Sequence, residues 1–337
     1  MINNTARAVY CALSAALFYA LNVPLSKVLL QDVSPIFMAS FMYLGAGLGV
    51  GIIYLYHWKN ESSQERLNMK DAPYVLGMIL LDIAAPILMM YGVKFGTASN
   101  ASLLGNLETP ATALIALVIF HERISRQLWA AIALITLSGM LLTLDIKEGL
   151  EFSSGSLFVL GAALCWGLEN NCTNSISSKS AYEIVTLKGI CSGAGAFMTG
   201  LAAGDSVPDL RFAVYALMLG FVAYGLSIFM YIRAQNVLGA AKTSAYYASA
   251  PFIAAVLSFV LLGEELSSGY AAAFAIMTAG TALAVRDTLH RSHVHEHKHI
   301  IIHVHGGRLH SHIMMHSHPH EHYLSGSSHI HLHKGAD

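Results

Sequence analysis

Long apolar runs alternate with short polar breaks through most of this chain. About 20 predominantly apolar residues are needed to cross the hydrocarbon core of a bilayer. Ten segments fit that template, near residues 8–29, 34–56, 73–93, 98–120, 127–145, 155–174, 184–203, 212–232, 241–262 and 268–285. The breaks between them are short and polar, such as HWKNESSQERLNMKD after the second. The pattern predicts an all-α integral membrane protein with ten transmembrane helices. The fourth and sixth segments are the most polar, containing NASLLGNLETP and ending in GLENNCTNS. Polar groups at membrane depth are expensive and mark functional positions. The N-terminal run MINNTARAVYCALSAALFYAL has one basic residue ahead of an apolar stretch, as a signal peptide would. Further spans follow it, and no small-x-small cleavage site precedes a soluble domain, so it reads as the first span.

Composition agrees with this reading. Of 337 residues, 55% are hydrophobic and 12% charged, against roughly 25% charged in a soluble domain. The mean hydropathy is +0.55. Nineteen Lys and Arg nearly cancel 20 Asp and Glu, which gives no basic face for nucleic acid; the bulk partner is the lipid bilayer. Cys11, Cys165, Cys172 and Cys191 lie in apolar runs without C-x-x-C spacing, and read as small buried hydrophobes.

Orientation follows from the loop cations. With the N-terminus inside, the inner segments hold 15 Lys and Arg and the outer ones only Lys27, Lys94, Lys147 and Arg211. Leaving out the tail beyond Arg291 gives 12 against 4. The expectation is a multi-pass protein of the cell inner (cytoplasmic) membrane with both termini cytoplasmic.

The two halves also echo each other. TPATALIALVIFHERISRQLWAAIALITLSGM in the first half matches SAPFIAAVLSFVLLGEELSSGYAAAFAIMTAGT in the second, pairing Pro110 with Pro251, Glu122 with Glu264, Ser125 with Ser267 and Gly139 with Gly280. A fainter echo pairs AALFYALN (15–22) with AALCWGLE (162–169). Five spans is an odd number, so the second copy enters the membrane in the opposite sense. This is the inverted-repeat plan of secondary transporters, with a solute site near mid-membrane between the halves. The predicted division is 1–147 and 148–286 for the two five-helix repeats, with 287–337 as a histidine-rich tail.

Two halves of five spans, each closing with a proline-containing span, an E-R-I-S or E-E-L-S turn and a last span with a small-residue glycine, resemble the EamA-type members of the drug/metabolite transporter superfamily. The resemblance covers residues 8 to about 286. It implies a ten-helix, basket-like carrier, often an exporter of small metabolites or amino acids, with a central cavity formed by both halves. The sequence departs from that pattern at His121, where a small residue is common, and in the tail.

Several residues are candidates for lining a solute site. Glu108, in GNLETP of the fourth segment, lies near Asn106 and two residues before Pro110. It reads either as a solute or proton site or as a structural pair with another helix. Trp166, Glu169 and Asn170, with Asn171 beside them, fall on one helical face by their spacing; Glu169 could instead mark the aqueous end of its helix. The echo in the first half offers Tyr19 and Asn22. Tyr246 and Tyr247, ahead of Pro251, read as cavity aromatics or as interface anchors. Asp82, a turn before Pro86, is a coupling candidate that could instead pair with a cation such as Lys94 or Arg233. Glu122 and Glu264 read as turn elements, with Ser125 and Ser267 capping the next helix. Gly45, Gly47, Gly49 and Gly51, with Gly189, Gly193 and Gly195, predict close helix approach.

The tail changes the picture at its end. Residues 290–333 hold 16 of the 18 histidines. Many recur as H-x-H, and His293, His295, His297, His299, His303, His305, His316, His318, His320 and His322 are candidate ligands. Neutral imidazole suits zinc, nickel or copper, and the tail is expected to be disordered without metal. The main expectation is a secondary transporter, an exporter of a small metabolite or amino acid, with a metal-binding regulatory tail and no required cofactor. A zinc, nickel or cobalt efflux carrier and a non-transporting metal sensor or buffer are the alternatives. No nucleophile elbow, H-E-x-x-H or paired-carboxylate pattern points to an enzyme, and His57 and His121 both fall in predicted loops.

Overall fold

The structure, a computed structural model, describes residues 4–58, 65–96, 101, 104–105, 107–122, 124–143, 154–263, 270–305 and 308–323. Helices dominate: α1 (Asn4–Tyr19), α2 (Asn22–Leu29), α3 (Pro35–His57), α4 (Ala72–Phe95), α5 (Glu108–Val118), α6 (Arg126–Thr143), α7 (Ser154–Ser175), α8 (Ala181–Ala202) and α9 (Leu210–Gly220). A π-helical turn, Phe221–Leu226, carries α9 into α10 (Ser227–Leu238), followed by α11 (Ala240–Tyr247), α12 (Ala250–Leu262) and α13 (Tyr270–Leu289).

Helix occupies part of each of the ten predicted segments, and among the described residues six stretches are long and apolar enough to cross a membrane. They are Asn4–Leu29, Pro35–His57, Ala72–Phe95, Ala181–Ala202, Leu210–Leu238 and Ala240–Leu262, while Glu108–Val118 and Ala272–Ala284 are shorter apolar helices. In the segment predicted at 98–120, α5 begins only at Glu108. Large apolar side chains stand exposed on these helices: Leu48, Ile52, Leu164, Met218 and Val260 are each more than half exposed. An outer face of that kind fits lipid rather than water.

Proline and serine set the local breaks. Pro24 has no amide to give the carbonyl of Ala20, and the chain turns at Ala20 and Leu21 between α1 and α2. Pro251 likewise cannot bond Tyr247, and the chain turns at Ala248 and Ser249 between α11 and α12. Ser34 starts α3, its hydroxyl accepting from the Phe37 amide at 3.3 Å with Pro35 next. Ser125 caps α6 in the same way, accepting from Leu128 at 3.0 Å.

Glycines let α3 into the centre. A Cβ at Gly189 of α8 would lie 2.3 Å from the Gly47 amide nitrogen, and one at Gly220 of α9 would lie 2.2 Å from the Met42 carbonyl oxygen. Backbones can meet this closely only where no side chain intervenes. Around α3, α4 packs on α7 and α1 on α10; α5 packs on α7 and α1 on α11; α5 also packs on α11. Helices α6 and α13 share a cluster of Leu128, Ala131, Ile135, Ala273 and Met277, joined by the Ser138 hydroxyl donating to the Ala273 carbonyl at 2.6 Å. Exchanging the first five predicted segments with the second five maps this set of pairings onto itself.

The described residues from Val285 onward form a second compact unit. The tail, expected to be disordered, contains a two-stranded antiparallel hairpin, β1 (His290–His305) with β2 (Arg308–Tyr323). Its register sets His293 opposite His320, His295 opposite His318, His297 opposite His316 and His303 opposite His310. The physical reason is in the spacing. H-x-H has the period of two that a strand requires, and Ile300, Ile302 and Val304 occupy the alternate positions.

Candidate functional site

One face of α7 presents Trp166, Glu169, Asn170 and Thr173, at the i, i+3, i+4 and i+7 spacing that brings side chains together on a helix. Facing it, the π turn and α10 present Tyr224, Ile228 and Tyr231. A π turn adds a residue to the local register and recurs at functional sites. With Tyr19, Tyr43, Glu108, Lys188 and Tyr247, these residues line a partly open cavity. A second space shares Tyr19, Glu108, Trp166 and Tyr247 and extends past Val23, Met89 and Pro251. The four shared residues line both spaces, and the place where the two meet is the neck.

Rings dominate the walls. Tyr19 is stacked on Tyr224 with centroids 5.9 Å apart, tilted against Tyr247 at 5.2 Å and edge-on to Trp166 at 6.5 Å. Tyr43 meets Tyr224 edge-on at 5.0 Å, and Tyr231 meets Tyr247 edge-on at 4.9 Å. Beneath the rings lies a charged group. The Lys188 ammonium is 2.7 Å from Glu169 Oε1 and 3.1 Å from Asp82 Oδ2. Tyr43 donates its hydroxyl proton to Asp82 at 2.6 Å, and the Thr173 hydroxyl donates to Glu169. All three charged residues are buried, at 4% exposure for Lys188, 0% for Asp82 and 2% for Glu169. Glu108 stands apart from this triad and accepts from Asn170 Nδ2 at 2.6 Å. The backbone carbonyl of Asn170 in turn accepts from Gln235 at 3.0 Å.

The structure brings most of the candidate residues together and moves a few elsewhere. Glu108, Trp166, Glu169, Asn170, Tyr19 and Tyr247 line the cavity. Asn171 points away from it, its amide donating to the carbonyls of Thr112 at 3.0 Å and Gly167 at 2.9 Å. Asn22 is fully buried behind the rings, its amide within 3.5 Å of the Tyr224 hydroxyl, so it positions a wall residue rather than lining the space. Tyr246 is also displaced. Its hydroxyl reaches the Ala284 carbonyl at 3.4 Å, because one residue along α11 rotates the side chain about 100° away from Tyr247. Asp82 pairs with Lys188 rather than with Lys94, which is exposed, or with Arg233, whose guanidinium lies 5.0 Å over the Phe229 ring. Asn106 lies outside the described residues, as does Glu264.

Lys188, Tyr43, Thr173, Tyr224 and Tyr231 were not foreseen as site residues. Lys188 was counted among the inner loop cations, but it sits seven residues into α8, roughly 10 Å along its axis. Moving it from the loops leaves 11 cations against 4. The available signal was charge balance: three acids in apolar segments call for a cation in one.

An apolar exterior around a ring-walled and charge-bearing cavity defines a multi-pass membrane protein that receives a small solute. The EamA-like transporter family model matches the chain twice, over residues 6–144 and 153–286. The chain belongs to that family and is a membrane transporter. It is 25% identical over 278 residues to an uncharacterized transporter of Methanothermobacter thermautotrophicus, an alignment covering 76% of this chain and 79% of that one. A protein of known crystal structure matches its fold with a TM-score of 0.69 at 15% identity, over 83% of this chain and 97% of the other.

Proposed function

We propose that the chain is a secondary transporter that exports a small metabolite or amino acid across the cytoplasmic membrane, and that solute occupies the ring-walled cavity. In this reading the chain crosses the membrane ten times as two inverted five-helix repeats, 1–147 and 148–286, with both termini in the cytoplasm. One observation carries the proposal: the neck of the cavity takes Tyr19 and Glu108 from the first repeat and Trp166 and Tyr247 from the second. A solute held there touches both halves, so rocking one against the other would change its access from one side to the other. The self-matching helix pairings support the repeat division, and the loop cations support the orientation.

In the same proposal the tail binds a transition-metal ion and regulates transport. Cross-strand histidine positions in register favour imidazole ligation by two strands at once. Carriage of an organic solute is preferred over carriage of metal. Among the described residues of the helices, no three His, Cys, Asp or Glu side chains converge as a metal ligand set. Comparing the metabolites and metals retained by cells with and without the protein, followed by flux of the hits into proteoliposomes, tests the reading. Organic solute efflux that persists after deletion of 290–337 is the expected result. Flux of zinc, nickel or cobalt without organic flux would replace it with the metal carrier, and no flux of any kind would replace it with a sensor.

A further inference from the structure

We infer that the solute site selects an organic cation without a carboxylate, its ammonium head held at the neck by Glu108 and the rings of Tyr19, Trp166 and Tyr247. The inference rests on the carrier reading and narrows its substrate class.

The charges around the cavity carry the argument. Three acids, Asp82, Glu108 and Glu169, face a single lysine, and that lysine is committed to two of them, at 3.1 Å from Asp82 and 2.7 Å from Glu169. None of the ion pairs among the described residues includes Glu108, whose described polar partner is the neutral amide of Asn170. The other nearby cations are engaged elsewhere: Lys27 donates to the carbonyls of Val93 and Gly96 at 2.9 and 2.7 Å, and Arg233 lies over Phe229. A half-buried carboxylate at membrane depth whose described partner is a neutral amide favours a counter-charge. A bound ammonium supplies one; an anionic solute would add a second negative group beside the first.

The rings define the form of that ammonium. Tyr19, Trp166 and Tyr247 share the neck with Glu108, and the faces of aromatic rings attract cations, most strongly where water is excluded. A zwitterion would satisfy Glu108 with its amine, but its carboxylate would find Lys188 already flanked by two acids. The two spaces that meet at the neck are partly open, so an organic body can extend from it.

The test uses the purified full-length protein and thermal-melt titration with head-matched probes. These are choline, its neutral isostere 3,3-dimethylbutan-1-ol, its carboxylate counterpart glycine betaine, and the bulkier benzyltrimethylammonium. The expected result is saturable stabilisation by one or both cations, with the alcohol and the betaine weaker by about tenfold or more. Glu108→Gln and Trp166→Leu should each weaken cation binding, while Glu108→Asp retains part of it. No saturable response to either cation, equal responses to the isosteres, or cation binding unchanged in Glu108→Gln would overturn the inference. Should Glu108→Gln fail to fold, the isostere series in the wild type still decides. The two readings fail separately: flux of a neutral or anionic solute without cation binding removes this inference and leaves the carrier, whereas cation binding without any flux removes the carrier.

Discussion

Replacing Lys188 with methionine should strip the buried charge group of its only cation while keeping a flexible side chain of similar length. Asp82 and Glu169 would then face each other at 0% and 2% exposure with no counter-charge. Tyr43 and Thr173 would still donate to them, but neutral donors do not replace an ammonium. Removing one partner of a buried ion pair destabilises by about 3–5 kcal/mol. At roughly 2–4 °C per kcal/mol for domains of 150–250 residues, the melting temperature should fall by roughly 6–20 °C. Intrinsic-fluorescence melting of the detergent-solubilised protein measures this. Lys179→Met is the control, because its 3.8 Å pair with Asp71 is partly exposed at 19% and 15% and should contribute less than about 1 kcal/mol. A triple variant, Lys188→Met with Asp82→Asn and Glu169→Gln, should recover most of the loss, since neutral isosteres of a buried ionic group are often tolerated. If Lys188→Met melts with the control, or the triple variant is no better than the single, the triad is not the buried ionic group described.

Three further outcomes follow from the same geometry. Tyr43→Phe removes the 2.6 Å donor to Asp82 and should lower stability by about 1.5–3 kcal/mol, read in the same melting assay against wild type. Gly189→Ala places a methyl 2.3 Å from the Gly47 nitrogen and should be destabilising by at least the 1–3 kcal/mol typical of overpacking, whereas Gly105→Ala, which would meet only Met89 Cε at 3.8 Å, should leave the melting point unmoved. Burial lifts the Glu122 carboxyl above its ordinary 4.5 against the opposing amides of Ala241 and Ala240 and the charge of Lys242. The folded protein therefore holds that proton more tightly than the unfolded chain, and the group's contribution is complete below pH 4.5 and lost as pH rises through the raised value. Glu122→Gln should flatten that part of the melting-versus-pH curve, and parallel curves for variant and wild type would refute the assignment.

What the sequence revealed and what it hid divide along physical lines. Period and composition are local, so the apolar segments and the glycine-lined crossings could be read directly, whereas the breaks near Pro24 and Pro251 fall inside segments that read as continuous, 8–29 and 241–262. Glu108, Glu169 and Asp82 were legible for the same reason, because a carboxylate in an apolar run stands out whatever its partner. Partners are not local. Asp82 and Lys188 are 106 positions apart, and only the packing of α4 and α8 about α3 joins them. Phase along a short helix was equally hidden. Helix α11 starts after Gly239, at φ 80°, and that start decides that Tyr247 faces the cavity while Tyr246 faces α13. In the tail, composition led to an expectation of disorder, and the hairpin follows the H-x-H period instead.

The tight crossing of α3 and α8 and the charge group beside the cavity are one arrangement. Gly189, whose missing side chain admits the Gly47 backbone, is the residue next to Lys188, so a close backbone contact fixes the height of the ammonium. The same contact brings the Tyr43 carbonyl within 2.7 Å of a Cβ built at Gly189, and the Tyr43 hydroxyl reaches across to Asp82 on α4. One glycine-to-glycine approach thus delivers both a cation and a hydroxyl donor to the same buried acid. Helices α3 and α8 are also exchange partners, the second segments of the two halves. A motion of one half against the other that slides this crossing must therefore shift Lys188 relative to Asp82 and Glu169, whereas a motion that pivots about it leaves the triad intact. Opening and closing of the cavity with little loss of buried charge pairing requires the pivot, and the Gly47 to Gly189 contact is where such a pivot would sit.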